Sequence, residues 1–353
     1  ESSGLANGTW QNYVMLLISF ILFYLAIVKK FEPLLLLPIA FGMFLINIPG
    51  AYDVLWGTYP EGVEHTYENV QSRGLLWYLF YGVQNVIYPP LIFLGIGAMT
   101  DFGPLISNPK SMLIGAAAQL GVFVALILAV VLGFDLAAAC SIAIIGGADG
   151  PTALYVTQML SKFTNEDLLS AIAIAAYSYM ALIPIIQKPL MRLLVPKKER
   201  AIKMKQLRTV SKLEKIIFPI LVTLVVGILL PDAMPLLGML MLGNILRESG
   251  VAERLSSQAQ NGLMNTVTIF LGVCVGCKAF GGVFLTWSTI KIILLGLFAF
   301  VFGTIGGLLM GRLMCKLSKG KINPLIGSAG VSAVPMAARI SEDVGRESDP
   351  SNH

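Results

Sequence analysis

The sequence predicts an all-α protein that crosses a membrane many times, and three observations carry that reading. Of its 353 residues, 56% are hydrophobic and only 13% are charged, about half the charged share of an ordinary soluble domain. Mean hydropathy is +0.77. The apolar residues fall into unbroken runs of roughly 20, the length that spans a bilayer as a helix, with the charges clustered between them. A transmembrane β-barrel would instead need alternating segments of about ten residues. The first run has no basic stretch before it and is followed by Lys29 and Lys30, which is not the pattern of a signal peptide. Four cysteines, Cys140, Cys274, Cys277 and Cys315, lie in or at the ends of apolar runs. The Cys274–Cys277 pair has only His65 and His353 to complete a zinc site, each in a polar segment elsewhere, so the cysteines read as small packing residues.

Charge bias orients the runs. Segment 188–215 carries ten Lys/Arg against Glu199 and Glu214, a net of +8 where the whole chain has +5. By the positive-inside rule it is a cytoplasmic loop. Segment 50–73 holds Asp53, Glu61, Glu64 and Glu68 against Arg73 alone, so it faces outside. From these anchors 12–28 crosses inward, 33–49 outward, 74–99 inward with an interruption at Pro89–Pro90, and 111–133 outward. The stretch 136–160, broken by Gly146, Gly147, Gly150 and Pro151, must then enter and return on the outer side, because only that lets 168–187 cross inward to the basic loop. Glycine tolerates such a turn and proline cannot continue a helix.

The second half repeats the order. Runs 216–231, 235–248, 259–278 and 288–312 cross alternately, and a second glycine- and proline-broken stretch, 323–338, enters and returns from the cytoplasm. EPLLLLPIAFG (32–42) is matched by MPLLGMLMLG (234–243), and IFLGIGA (92–98) by IFLGVCV (269–275). Matched elements cross in opposite senses, the pattern of an inverted repeat. The expected organisation is therefore a first repeat over 1–187, the basic loop 188–215, and a second repeat over 216–353, with about nine spanning helices and two re-entrant hairpins. A counterpart of helix 168–187 is expected after residue 338, where the chain runs instead through the polar stretch RISEDVGRESDPSNH; the last helix of the second repeat is missing from this chain.

Polar residues at membrane depth are the candidate site. In inverted-repeat carriers two broken elements meet near the midplane and offer carbonyls and helix ends to ions. Asp149 is the sole acidic residue in either broken element, and a carboxylate there is costly unless a cation shares it. It is also placed to cap the helix that begins near Pro151. Gly147 opens the turn, and Thr152, Ser328 and Ser332 add hydroxyls, so the ligands are hard oxygens suited to sodium; sequence alone leaves a proton as the alternative. Asn85 and Asn265 each precede an IFLG run and are either ion ligands or helix-to-helix hydrogen bonds. Tyr179 is a packing residue or a proton donor. Arg339 is a positive-inside anchor or the holder of an anionic substrate group.

The stretches IIGGADGPTALY (144–155), AAYSYMALIPIIQKPLMR (175–192), VSKLEKIIFP (210–219), QNGLMNTVTIFLG (260–272) and NPLIGSAGVSAVPMAARI (323–340) together resemble the β subunit of the biotin-dependent, sodium-pumping decarboxylases of oxaloacetate, methylmalonyl-CoA and glutaconyl-CoA. The resemblance spans nearly the whole chain. It implies a subunit of a prokaryotic inner membrane that decarboxylates carboxybiotin, consumes a proton and exports sodium. The biotin belongs to a partner carrier subunit or domain, loaded by a soluble carboxyltransferase subunit. A small membrane accessory subunit and a homo-oligomer are further expectations, and no nucleic acid is. Asp149 becomes the essential ion-site carboxylate and Tyr179 a hydroxyl near the proton path. A sodium-coupled carboxylate carrier without chemistry is the alternative reading.

Overall fold

Apolar helices account for nearly all of the computed structural model, which describes residues 8–30, 33–60, 67, 69–164, 168–204, 208–330 and 334–349. Among the described residues, Trp10–Ile27, Pro109–Val131 and Trp287–Leu317 are each long and apolar enough to cross a bilayer. The expected run 74–99 is two helices, Leu75–Gln84 and Tyr88–Met99, bent by 66°. The break falls at Asn85–Ile87, just ahead of Pro89 and Pro90. Proline lacks an N–H and is tolerated in a first turn, where that donor has no partner, so the two prolines open the second helix and do not interrupt one helix. Helices Pro33–Asn47 and Leu136–Gly147 are apolar but shorter.

The helices pack through glycine. Pro33–Asn47 lies against Met264–Lys278, so closely that a Cβ on Gly42 would sit 2.2 Å from the Val273 carbonyl oxygen and one on Gly276 would sit 2.1 Å from that of Ile39. Tyr88–Met99 lies against Met234–Ser249 in the same way, with Gly97 on Leu240 and Gly243 on Leu94. Without a hydrophobic drive between helices in lipid, close backbone approach and dispersion hold such pairs together. The matched segments have exchanged partners: 33–47 pairs with the counterpart of 88–99, and 88–99 pairs with the counterpart of 33–47. Cys277 belongs to the first seam, its Sγ 3.4 Å from the Gly42 carbonyl oxygen.

Two further features set the ends of the molecule. Part of the acidic segment forms a short antiparallel ribbon, Gly57–Thr58 with Ser72–Arg73, over the rings of Trp56, Tyr67, Trp77 and Phe80. Lys278 stands over Trp56 and Phe80, 5.3 and 5.1 Å from the ring centroids. At the other end, the polar stretch after residue 338 is helical, Val334–Ser348. Ala337, Ile340 and Val344 recur at helical spacing and are buried with Ile183, Met191 and Val195. Its outer face is tied down by Lys188 and Arg192 on Glu347, at 3.2 and 2.8 Å. The Arg192 hydrogen bonds hold the Glu347 carboxyl below the usual carboxylate range, so the pair is intact at neutral pH and opens only as pH falls into the acid range. The basic segment is thus not only a solvated loop: Glu199 also bonds Arg312 at 3.0 Å, and Lys215 bonds Asp101 at 2.8 Å.

The seams give a direct test. Gly97→Ala puts a methyl 1.8 Å from the Leu240 carbonyl oxygen, while a methyl on Gly115 meets nothing within 4 Å. Overpacking of this kind costs about 1–3 kcal/mol. The thermal midpoint of the detergent-solubilised protein should fall clearly for Gly97→Ala and stay level or rise for Gly115→Ala; equal midpoints would show that the seam is loose.

Candidate active and ion site

Two helices and a sharp turn build the first broken element. Asp135 caps Leu136–Ala143, accepting from the Ala138 N–H at 2.9 Å. The chain tightens into a 3-10 turn at Ile144–Gly147 and reverses through Ala148 at φ 53. That left-handed conformation costs an alanine about 1–2 kcal/mol, which the surrounding packing offsets. Asp149 follows in extended conformation and caps Gly150–Leu160, with Pro151 in its first turn. Its Oδ1 accepts from the Thr152 N–H at 3.3 Å and its Oδ2 from the Thr152 hydroxyl at 2.6 Å. Asp149 is a helix cap, and a carboxylate with about four acceptor positions keeps some free after two hydrogen bonds. Asp149 is half-buried, and a methyl on Gly147 would meet nothing among the described residues within 4 Å. Among the described residues, the turn faces open space on that side.

The second broken element is a 3-10 stretch, Pro324–Gly330, followed by Val334–Ser348. Both elements seat on the same two helices. Gly146 packs on Gly121, Val122 and Ala299, while Gly327 packs on Gly307 and Leu308, and Gly330 on Ile114 and Ala118. Ala299 and Gly307 are eight residues apart on Trp287–Leu317, about 12 Å of helix rise. Ala148 from the first turn and Leu325 from the second belong to one buried apolar cluster with Ile183, Phe300 and Leu308. The outer ends of the two elements lie at opposite ends of Trp287–Leu317: Leu132 and Phe134, just before the first, meet Lys291, and Asn323, just before the second, bonds Arg200, next to the Glu199 that pairs with Arg312. The first is closed at its mouth by the Thr164 hydroxyl donating to Asp135 at 2.8 Å. The second is closed by Asn323, whose amide donates to the Arg200 and Ile202 carbonyls, both at 2.9 Å.

The structure gathers some of the sequence candidates and separates others. Asp149, Thr152 and Gly147 form the first turn. Ser328 lies fully buried in the second, its hydroxyl donating to the Leu325 carbonyl at 2.9 Å and paired with the Ser341 hydroxyl at 2.5 Å. Asn85 stands apart: it is exposed at the end of Leu75–Gln84, and its amide donates to Tyr81 of its own helix at 3.0 Å. Asn265 is exposed on Met264–Lys278. Arg339 is exposed on Val334–Ser348, without an ion-pair partner among the described residues. Tyr179 lies within the helix Leu169–Leu194, but its side chain, like all of Ser332, is outside the described residues.

Two polar residues at the second element, the buried Gln187 and the half-buried Ser341, escaped sequence reading. Gln187 is 0% exposed; its Nε2 donates to the Ser328 carbonyl at 3.2 Å, and its Oε1 has no partner among the described residues. Ser341 joins Ser328 from the following helix. The signal was periodic. Gln187 sits four residues from each of the buried Ile183 and Met191, a polar residue inside an apolar stripe. Ser341 sits likewise between Ala337 and Val344.

Comparison with known proteins gives this geometry its setting. Residues 11–353 match the family described as the Na+-transporting oxaloacetate decarboxylase beta subunit. The chain is 54% identical to the glutaconyl-CoA decarboxylase subunit beta of Acidaminococcus fermentans, over 100% of this chain and 88% of that protein. It is 54% identical to the methylmalonyl-CoA decarboxylase subunit beta of Veillonella parvula, with the same coverage. It is 50% identical to the oxaloacetate decarboxylase beta chain 2 of Salmonella typhi, over 100% of this chain and 91% of that one. A match of this extent leaves one assignment for a helical chain whose sole carboxylate at either break is Asp149: it belongs to the β subunits of the sodium-transporting decarboxylases.

Proposed function

We propose that this subunit removes CO₂ from carboxybiotin carried by a partner subunit and couples that step to sodium export at Asp149. The observation that carries the reading is the first turn. A capping carboxylate with spare acceptor positions faces open space, beside a second broken element on the same two helices. Carboxylate, hydroxyl and carbonyl oxygens are hard ligands suited to sodium. In the reaction the N–CO₂ bond of carboxybiotin breaks, CO₂ leaves, and a proton is delivered to the ureido nitrogen. Tyr179 supplies a hydroxyl for that proton path, and Arg339, exposed and without a described carboxylate partner, is available to hold the carboxyl group before it leaves. Thr152 and Ser328 complete the hydroxyl oxygens, with Ser332 four residues after Ser328 in sequence.

The exchanged partners of 33–47 and 88–99, and the opposite mouths of the two hairpins, support two inverted repeats over 1–187 and 216–353, each with a re-entrant hairpin. The charge bias supports a cytoplasmic basic loop, 188–215, in a prokaryotic inner membrane. Moving one sodium against 100 mV costs about 2.3 kcal/mol, so the ion step must be tied to decarboxylation. The relatives are named for three different acids at similar identity. That fits a soluble carboxyltransferase partner, and not this chain, choosing the acid. A biotin carrier, a small membrane accessory subunit and further copies of this chain complete the proposed complex.

Four experiments test this reading. Asp149→Asn should abolish sodium-stimulated decarboxylation while the complex still assembles, because asparagine caps a helix as well as aspartate; sodium-stimulated turnover surviving in that variant would leave Asp149 a cap only. Single cysteines placed in 50–73 and in 188–215 should react with membrane-impermeant thiol reagents from opposite sides of sealed vesicles, and reaction from the same side would break the inverted repeat. Tyr179→Phe should slow decarboxylation by about a hundredfold, the scale of a lost proton donor. Proton and sodium should also compete for Asp149, so the sodium needed for half-maximal rate should rise as pH falls. A sodium requirement that ignores pH would separate the two ions, and unaltered turnover in Tyr179→Phe would return that residue to packing.

A further inference from the structure

Away from the two broken elements, cations without ion-pair partners gather at one end of Trp287–Leu317. That helix has 31 residues and carries no charge between Lys291 and Arg312. The uncharged stretch rises about 32 Å, close to the thickness of a bilayer's hydrocarbon core. Arg312 therefore stands at the edge of the hydrocarbon. Lys316, Lys319 and Lys321 stand beyond it, in the headgroup layer.

Three elements meet there. Pro109–Val131 packs along Trp287–Leu317, with Gly306 on the Ala117 carbonyl and Gly307 beside Ala118. The two run antiparallel, so counting on from that contact brings Lys110 level with Leu313. Glu199 bonds Arg312 at 3.0 Å, which brings Lys197 and Lys198 of the turn Lys197–Arg200 to the same end. All six lysines are exposed, and none has an ion-pair partner among the described residues. Neighbouring cations do have one: Lys188 and Arg192 on Glu347, Lys203 on Asp349, and Arg346 on Glu342. The lysines after the helix are also held in place. The Gly320 N–H donates to the Cys315 carbonyl at 2.9 Å, and the Lys321 N–H to the Ser318 hydroxyl at 3.3 Å. Directly membrane-ward lie exposed apolar side chains, Leu309, Leu313 and Leu317 at successive turns of one face, with Met112 and Leu113 on the neighbouring helix. Cations above a strip of leucines match an amphiphile with an anionic head and apolar tails. An acidic protein surface would meet the lysines and leave the leucines unmatched.

We propose that this end of the molecule binds an anionic phospholipid, its phosphate held among Lys110, Lys316 and Lys319 and its acyl chains lying along Leu309, Leu313 and Leu317. The lipid bridges Pro109–Val131 and Trp287–Leu317, the two helices on which both broken elements are seated. Its headgroup offsets the mutual repulsion of the lysines and ties the two helix ends together, so binding stabilises the seat of the broken elements. The site is independent of what the protein transports or decarboxylates.

The test uses the whole complex in detergent, with phosphatidylglycerol and phosphatidylcholine as probes and bound lipid counted by native mass spectrometry. Phosphatidylglycerol should bind and raise the thermal midpoint, and phosphatidylcholine should do neither. A lysine beside an anionic headgroup is worth about fivefold in affinity, so Lys316→Gln with Lys319→Gln should weaken phosphatidylglycerol binding about 25-fold. Lys316→Arg with Lys319→Arg should keep it. If the glutamine pair does not fold, each single variant reads the same loss at about fivefold. The control is Lys29→Gln with Lys30→Gln, which removes the same charge beside the end of Trp10–Ile27 and should leave binding unchanged. Equal loss in the control would reduce the effect to the charge of the whole surface and overturn the proposal. Unchanged binding in Lys316→Gln with Lys319→Gln would overturn it too. Soluble glycerol phosphate should leave the thermal midpoint where it is; a rise equal to that from phosphatidylglycerol would assign the lysines to a free phosphate. If the glutamine pair keeps its lipid but loses soluble subunits during purification, the lysines serve an acidic protein partner and the lipid site falls.

Discussion

A membrane interior gives the backbone no water to bond with, so every break in a helix has to be satisfied from within the protein. Much of this structure follows from two such breaks. At the first, Asp149 and Thr152 close the start of Gly150–Leu160. At the second, Ser328, Ser341 and Gln187 gather around Leu325 and its neighbours. Both breaks are held in place by helices stripped to glycine and alanine where the turns approach, Gly121 and Ala299 for one, Gly307 and Ala118 for the other. Larger side chains at these positions would push the turns away from the helices that hold them.

The same constraint makes capping compatible with the ion role proposed for Asp149. A cap must be an acceptor, fixed by the helix start and able to bear the loss of water. Those are also the requirements for a sodium ligand. The alanine at 148 fits this view. Its left-handed backbone is a small strain in a turn otherwise built of glycine, and it carries the reversal that sets Asp149 beside the open space at Gly147.

Sequence made the membrane character, the two broken elements and the charged ends legible, because each rests on local composition. Asp149 stood out for the same reason, as the sole carboxylate in either break. What sequence could not supply were the pairings made at long range. Asn85 looked like a site residue by its place before IFLG, yet it serves the end of its own helix. Gln187 was not singled out at the end of the run 168–187, yet it is fully buried against residue 328. The stretch after residue 338 was too polar to suggest a packed helix, because its burial depends on a narrow stripe, Ala337, Ile340 and Val344, meeting another helix. The bend at 85–87 was misplaced by two or three residues because prolines mark a helix start as readily as a break.

The buried Asn47 draws out a consequence for how the protein is made. Its amide donates to the Ala279 carbonyl at 2.8 Å and its oxygen accepts from the Gly281 N–H at 3.0 Å, across 232 and 234 residues. The glycine seam beside it joins the same two distant segments. At a synthesis rate of about 5–20 residues per second, the helix Pro33–Asn47 waits roughly 10–50 seconds in the membrane before its partner exists. During that time a bare glycine face and an amide bonded only to Met43 of its own helix are open to lipid. The first half is thus inserted as an unfinished surface, and the protein's biogenesis depends on keeping that surface from other helices until residue 281 has left the ribosome.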